Sequence, residues 1–359
     1  GTFVAEVTLD SVALIQGNKI ISRFREMELE LKEGKPKDLV ILRKILKKTG
    51  ANPKLLQPKI FHALQLPYPQ ADSQADPTVN PTEHIRARLQ VQVNQMLIHD
   101  PGTRLGRDSE ALHQMRVATR RMRAIFRAVR SFLEPEWTTT IRQEVGWIGS
   151  LLGEVRDWDV LLASFQTEYS ALASREEPAF ELILKTFQDE RSMARARLMD
   201  GLRSDRYLSL LNTLDESLTH LPFQPNHPSL TDLVPIAFSK LEKCVESTQG
   251  RFPQRELHRT RILVKRVRYT VELVKPFLSN HAKKFLQQAK CLQEILGQHH
   301  DALVAEHHLL SYRTLAQNPE VAFTTGILVE RFRNRQREAS RNLPQLWEKL
   351  RKLGKKMST

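Results

Sequence analysis

The sequence predicts a mainly α-helical protein built from a duplicated module, with a small α+β segment ahead of it. Three observations carry this. From about residue 83 onward, apolar residues recur at helical spacing. A basic motif and a Leu-Gly motif each occur twice, at nearly the same separation. The first 50 residues instead show stretches of period two, as half-buried strands do.

In the first segment, Val4 to Asp10 alternates apolar and polar residues, which reads as a strand. Asp10 to Asn18 supplies turn residues, with Gly17-Asn18 suited to a tight turn. Arg25 to Leu31 alternates again. Glu26, Glu28 and Glu30 lie on one face, and Met27, Leu29 and Leu31 on the other. Lys32 to Pro36 reads as a turn, and Lys37 to Lys48 as an amphipathic helix with Leu39, Ile41, Leu42, Ile45 and Leu46 as its stripe. This places an α+β unit over 1–60. A linker is expected over 61–82, where Pro67, Pro69, Pro77 and Pro81 alternate with small polar residues.

Residues 83–355 form the helical region. Proline and loop signals near 100–108, 134–137, 175–178, 222–230, 250–253, 276–281 and 317–320 divide it into eight or more helices. Leu112-His113-Gln114-Met115-Arg116 through Arg123 matches Leu257-His258-Arg259-Thr260-Arg261 through Arg268, 145 positions later. Leu152-Gly153 with Asp157 matches Leu296-Gly297 with Asp301, 144 positions later. Two matches at nearly one spacing imply an internal duplication, with halves at about 83–220 and 230–355.

The chain has 359 residues, with 55 Lys+Arg against 41 Asp+Glu and a formal net charge of +14. That balance points to an anionic partner. The two cysteines exclude a disulfide scaffold and a cysteine-based zinc site, and fit a reducing cytosol. No apolar run is long enough to span a membrane. At about 100° per residue, His113, Arg116, Arg120, Arg123 and Arg127 fall on one side of a helix, with Met115, Ala118, Met122 and Phe126 opposite. The second copy repeats this with His258, Arg261, Lys265 and Arg268, interrupted by Glu272. Arg121 and Arg266 match each other just off the stripe. Like charges stacked at helical spacing repel, so the stripe needs an answering charge, either an acid from another helix or a bound polyanion. Guanidinium groups bind phosphate oxygens in a bidentate way, and a linear phosphate polymer matches a linear row of them. His113 and His258 begin these helices, placed to donate hydrogen bonds to phosphate more strongly as pH falls.

Metal binding is not expected at either histidine, because neither has carboxylate or cysteine partners at short spacing. His299, His300, His307 and His308 cluster more closely, but in no recognised ligand motif and with no counterpart in the first half. Asp157 and Asp301 are placed to orient an arginine or histidine of the stripe, and Gly153 and Gly297 to allow close packing or a bend. Later basic rows containing Arg195, Arg331 and Arg335 are candidates to face the same surface.

His113-x-x-Arg-Val-Ala-Thr-Arg-Arg-Met-Arg followed by Leu152-Gly-Glu-Val-Arg-Asp157 resembles the CHAD family, the conserved histidine α-helical domains. His258 through Tyr269, with Leu292 through Gly297 and Asp301, resembles it equally. The likeness spans 83–355. It implies two antiparallel helical bundles related by a pseudo-two-fold, with a basic channel or surface that binds inorganic polyphosphate. It also implies the cytoplasm as location, with polyphosphate granules as a candidate site, and no cofactor. The stripe histidines and basic residues named above carry over as its ligand contacts. Residues 1–60 resemble the C-terminal part of a CYTH domain, the triphosphate tunnel fold, through Val4 to Asp10 and Glu26 to Gly34. There Glu26, Glu28 and Glu30 would hold Mg²⁺ or Mn²⁺ for triphosphate hydrolysis. The acidic N-terminal strand of that fold is missing here, so inorganic triphosphatase activity is the alternative function only where the domain is complete. Nucleic acid is a further alternative partner. It is not expected, because the stripes lack interleaved aromatics.

Overall fold

The computed structural model describes residues 5–16, 19–32, 36–50, 80–169, 172–248, 252–278, 281–311 and 318–357. The chain divides into two compact units, Gly1–Ala71 and Asp72–Thr359. Most of the expected linker and the Gly17-Asn18 turn lie outside the described residues.

The first unit contains strands β1 (Ala5–Gln16) and β2 (Lys19–Leu31) and helix α1 (Pro36–Lys48). The strands pair antiparallel from Ala5 opposite Leu31 to Gln16 opposite Lys19, with an irregularity at Leu14/Ile15. Both run further than the alternating stretches alone suggest. Val12, Leu14 and Ile15, and Ile20, Ile21 and Phe24, are apolar and mostly β-branched, so the pairing continues through residues read as a turn. The Lys32 ammonium bridges Glu6 at 3.0 Å and Glu30 at 2.7 Å, so Glu30 already has a cation. Among the described residues, no group of three or more His, Cys, Asp or Glu is arranged to hold a metal.

The second unit is mainly α-helical. Its first half contains α2 (Pro81–Leu105), α3 (Ser109–Ala128), α4 (Pro135–Tyr169), α5 (Glu177–Arg203) and α6 (Asp205–Thr219). The second half contains α7 (Leu233–Glu246), α8 (Gln254–Val274), α9 (His281–Ser311), α10 (Pro319–Arg341) and α11 (Leu343–Lys355). Local chemistry sets the boundaries. Asn80 accepts from the Thr82 amide at 3.1 Å to start α2, and Pro81 fits the first turn. Asp108 does the same for α3 through the Glu110 amide at 2.8 Å, and Asn318 for α10 through Glu320 at 2.9 Å. Helix α2 stops at Gly106, whose φ of 65° is left-handed and whose amide reaches the Gly102 carbonyl.

The duplication is visible in the core. Leu112, Met115, Ala118, Met122, Phe126 and Val129 are buried, and so are Leu257, Thr260, Leu263, Val267, Val271 and Val274 at the same spacing. In α4 and α9, Val145, Ile148, Leu152 and Val155 match Ala289, Leu292, Leu296 and His299. Burying the larger of these side chains stabilises the bundle by roughly 1.5–3 kcal/mol each. The halves meet where α3 packs on α8, α4 on α9 and α5 on α10. His84 of α2 adds a tie, its Nε2 lying 2.7 Å from the Leu273 carbonyl of α8 and its ring edge-on to Phe277. No helix among the described residues is long and apolar enough to cross a membrane.

Candidate functional site

Helix α3 buries its Met115/Met122/Phe126 side, which forces Arg116, Arg120, Arg123 and Arg127 toward the opposite side. Helix α8 is built alike, with Val264, Val267 and Val271 inside. Because α3 and α8 pack together, part of each basic face meets the other.

At the centre stand Arg116 and Arg120 of α3, Arg261 and Lys265 of α8, Asp157 of α4, and His300 and Asp301 of α9. The Arg116 guanidinium donates to the Asp157 carboxylate at 2.7 Å and to the Gly153 carbonyl at 3.0 Å. Burial pushes Lys265 down to about 7, aided by Arg261, Arg120 and Arg116, while Asp301 opposes. Burial also lowers Arg261. Asp301 and Asp157 oppose that shift, and Arg120 and Arg116 add to it. Asp301 is raised, first by burial and then by Asp157, although Arg261, Lys265 and Arg116 pull it down. Two carboxylates on the solvent side therefore face four half-buried basic side chains, which leaves a net positive centre. The Nε atoms of Arg120 and Arg261 are buried without a hydrogen-bond partner.

The two leading histidines occupy matching but unequal surroundings. His113 is lowered by burial and then by Arg156, with Arg120 and Arg116 contributing. His258 lies against His300, with ring centroids 5.3 Å apart. His300 is pushed down to about 4 by burial, Arg261, His258 and Lys265. Arg156 and His300 hold equivalent positions in the duplication, so the substitution of one for the other gives each half its own charge pattern.

A second basic cluster lies along the first half. Arg127 is lowered by burial and by Arg266, Arg142, Arg123 and Arg130. Arg142 is lowered by burial, Arg123 and Arg130, and its Nε is buried without a partner. Arg142 of α4 belongs to neither repeated motif and was not among the residues expected from the sequence. Its signal would have been an arginine one turn before Gly146, over which the Arg123 guanidinium lies.

The remaining expected residues divide. Arg121 is exposed on α3. Arg268 is held by Gln293 at 2.9 Å and by Glu272, and its guanidinium lies 4.6 Å from the Tyr269 ring centroid. Arg195, Arg331 and Arg335, the candidates to face the same surface, each make ties of their own. Arg195 donates to the Arg104 carbonyl at 3.0 Å and closes the end of α2, filling the space left by Gly106, where a Cβ would overlap its guanidinium. Arg331 and Arg335 both pair with buried Glu168, tying α10 to α4 across the two halves. Arg191 and Arg333 likewise pair with Asp159 and Glu306. The glycines divide too. Gly153 leaves room for the Arg116 guanidinium, whereas a Cβ on Gly297 would meet nothing within 4 Å, so close packing is not its role. His299 and His308 are packing residues: His299 is buried, and His308 lies 4.6 Å from the Trp158 ring.

A duplicated helical unit with this paired basic face, ten helices among the described residues, is a recognisable class. The CHAD domain family model matches residues 87–310, and the chain belongs to that family. The protein MT2285 of Mycobacterium tuberculosis (strain CDC 1551 / Oshkosh) is 28% identical over 299 residues, covering 77% of this chain and 54% of the relative. Rv2226 of strain ATCC 25618 / H37Rv matches to the same extent. Both are described as uncharacterised, and the chain spans about half the length of these curated relatives. Among solved structures, the CHAD domain from the plant Ricinus communis is 26% identical with a TM-score of 0.60, covering 79% of this chain and 95% of that one. PptA from Streptomyces chartreusis has a TM-score of 0.62 at 19% identity, covering 74% of this chain and 98% of that one.

Proposed function

We propose that this chain binds inorganic polyphosphate along the joined basic faces of α3 and α8, without catalysing a reaction on it. One observation carries the reading. Two copies of one motif bring Arg116, Arg120, Arg261 and Lys265 into a single half-buried group whose positive charge exceeds that of Asp157 and Asp301. A polymer with one negative charge per phosphate answers that excess along its length. Charge-assisted hydrogen bonds of roughly 1.5–3 kcal/mol each then add over several arginines. Membership of the CHAD family supports the same ligand class. The cytoplasm and its polyphosphate granules are the corresponding proposed location.

Isothermal titration with long-chain polyphosphate tests this, with duplex DNA as competitor. Binding that tightens with chain length and resists DNA at moderate salt supports the reading. Absence of polyphosphate binding, or displacement by DNA at equal charge, rejects it. Nucleic acid is disfavoured by one further observation. Tyr269, the aromatic ring beside Arg120 and Arg268, is buried and offers no face for a base to stack on.

A further inference from the structure

The pseudo-two-fold relates the helices of the second unit but not their charges. Arg123, Arg127 and Arg130 follow one another by a turn at the end of α3, the Arg123 guanidinium rests over Gly146, one turn from Arg142 of α4, and Arg266 lies on α8, which packs on α3. After burial, Arg266 and Arg142 both depress Arg127. Among the described residues no carboxylate pairs with any of the five. Four of them are exposed, and the fifth, Arg142, turns an unpartnered Nε inward. Such a group is a concentrated positive field on a solvent-accessible surface.

The matching place in the other half is built from different residues. By the spacing of the buried positions, Arg123 corresponds to Arg268, Arg127 to Glu272, Arg130 to Lys275, Arg142 to Leu286 and Arg266 to Arg121. One arginine has become a glutamate and another a leucine. The glutamate pairs with Arg268, whose remaining guanidinium face is shared with Gln293 and Tyr269. Five arginines on one side thus correspond to three cations and one carboxylate on the other.

We propose that a short condensed phosphate such as tripolyphosphate binds at one place on this protein, the Arg123/Arg127/Arg130/Arg142/Arg266 cluster, and that longer chains enter there before reaching the central group. The proposal rests on the polyphosphate reading and adds to it an asymmetric entry point. The three phosphates of tripolyphosphate would answer a group of guanidiniums that pair with no carboxylate among the described residues. At the central group they would compete with Asp157 and Asp301.

Titration calorimetry with tripolyphosphate and with long-chain polyphosphate tests this on the full chain. The wild type should take up one tripolyphosphate per chain. Two variants copy the counterpart half into the first, Arg142→Leu and Arg127→Glu. Each should weaken tripolyphosphate by about tenfold or more, the scale of losing one charge-assisted contact. Long chains should still bind both variants, more weakly. Arg203→Ala, an exposed arginine at the end of α5, removes one charge and should leave both ligands unaffected. Arg127 is exposed and pairs with no carboxylate among the described residues, so its variant reports even if Arg142→Leu fails to fold. Unchanged tripolyphosphate affinity in Arg127→Glu overturns the inference. So does a wild type with two equal tripolyphosphate sites, or one that takes long chains but no tripolyphosphate. Loss of long-chain binding by the wild type itself overturns the underlying polyphosphate reading instead.

Discussion

Lys265 should couple polyphosphate binding to proton uptake. In the free protein its pKa is pushed down to about 7 by burial and by Arg261, Arg120 and Arg116. At pH 8 such a lysine is only about one-tenth protonated, and at pH 7 about half. A phosphate beside it favours the ammonium and moves the pKa back toward the ordinary value of about 10.4. Binding should then take up about 0.9 proton at pH 8, about 0.5 at pH 7 and about 0.1 at pH 6. The apparent affinity should fall about fivefold from pH 7 to pH 8, by nearly tenfold per pH unit above that, and level off below pH 6. The sign for the free protein is the reverse. Between about 7 and the unfolded value, the unfolded chain holds a proton that the fold lacks, so this group adds stability as pH rises across that window. The assay is calorimetry of long-chain polyphosphate in buffers of different ionisation enthalpy at pH 7 and pH 8. Lys265→Met should abolish the buffer dependence and flatten the pH profile above 7. Equal apparent enthalpies in all buffers, or the same buffer dependence in the methionine variant, would refute the argument.

Three other outcomes follow from the geometry. Arg116→Ala and Arg261→Ala should each weaken polyphosphate by about tenfold or more. Only Arg116→Ala should also cost about 1 kcal/mol in denaturant unfolding, because it loses the bonds to Gly153 and Asp157. Glu168→Gln should lower the unfolding free energy by about 1–3 kcal/mol, since buried Glu168 holds the half-exposed Arg331 and Arg335 across the two halves. Polyphosphate affinity should change little. His84, His299 and His308 are all depressed, chiefly by burial. Their contribution is present above about pH 6.5 and is lost as pH falls from there through their folded values. The melting temperature should therefore drop between pH 7.5 and pH 5.5, and His84→Gln should shrink the drop.

The helical period, the duplication and the composition of the basic faces were legible because each depends on spacing along one chain segment. Met115, Met122 and Phe126 fix which way α3 turns, so the direction of Arg116 and Arg120 follows from sequence alone. What partners an arginine meets does not follow. Arg331 and Arg335 read as one more basic row, yet their shared carboxylate, Glu168, sits in the other half of the chain. Arg195 reads the same way and turns out to cap carbonyls of α2. Arg142 has no repeated motif around it and gains meaning only beside Arg123 and Arg130. In the first unit the polar residues between Asp10 and Asn18 suggested an early turn, and cross-strand pairing of the apolar residues among them carried the strands further.

The junction of Gly106 and Arg195 has a consequence for how this protein can vary. The glycine is needed twice over, once for a left-handed backbone and once for the empty volume that the guanidinium fills. Replacing it with alanine would strain the chain and evict the side chain that shields the last carbonyls of α2, so a single methyl group would unfasten both ends of one latch. Lysine in place of Arg195 would be a poor remedy, since a single ammonium cannot span the Thr103 and Arg104 carbonyls as the forked group does. The two positions are expected to change together or not at all.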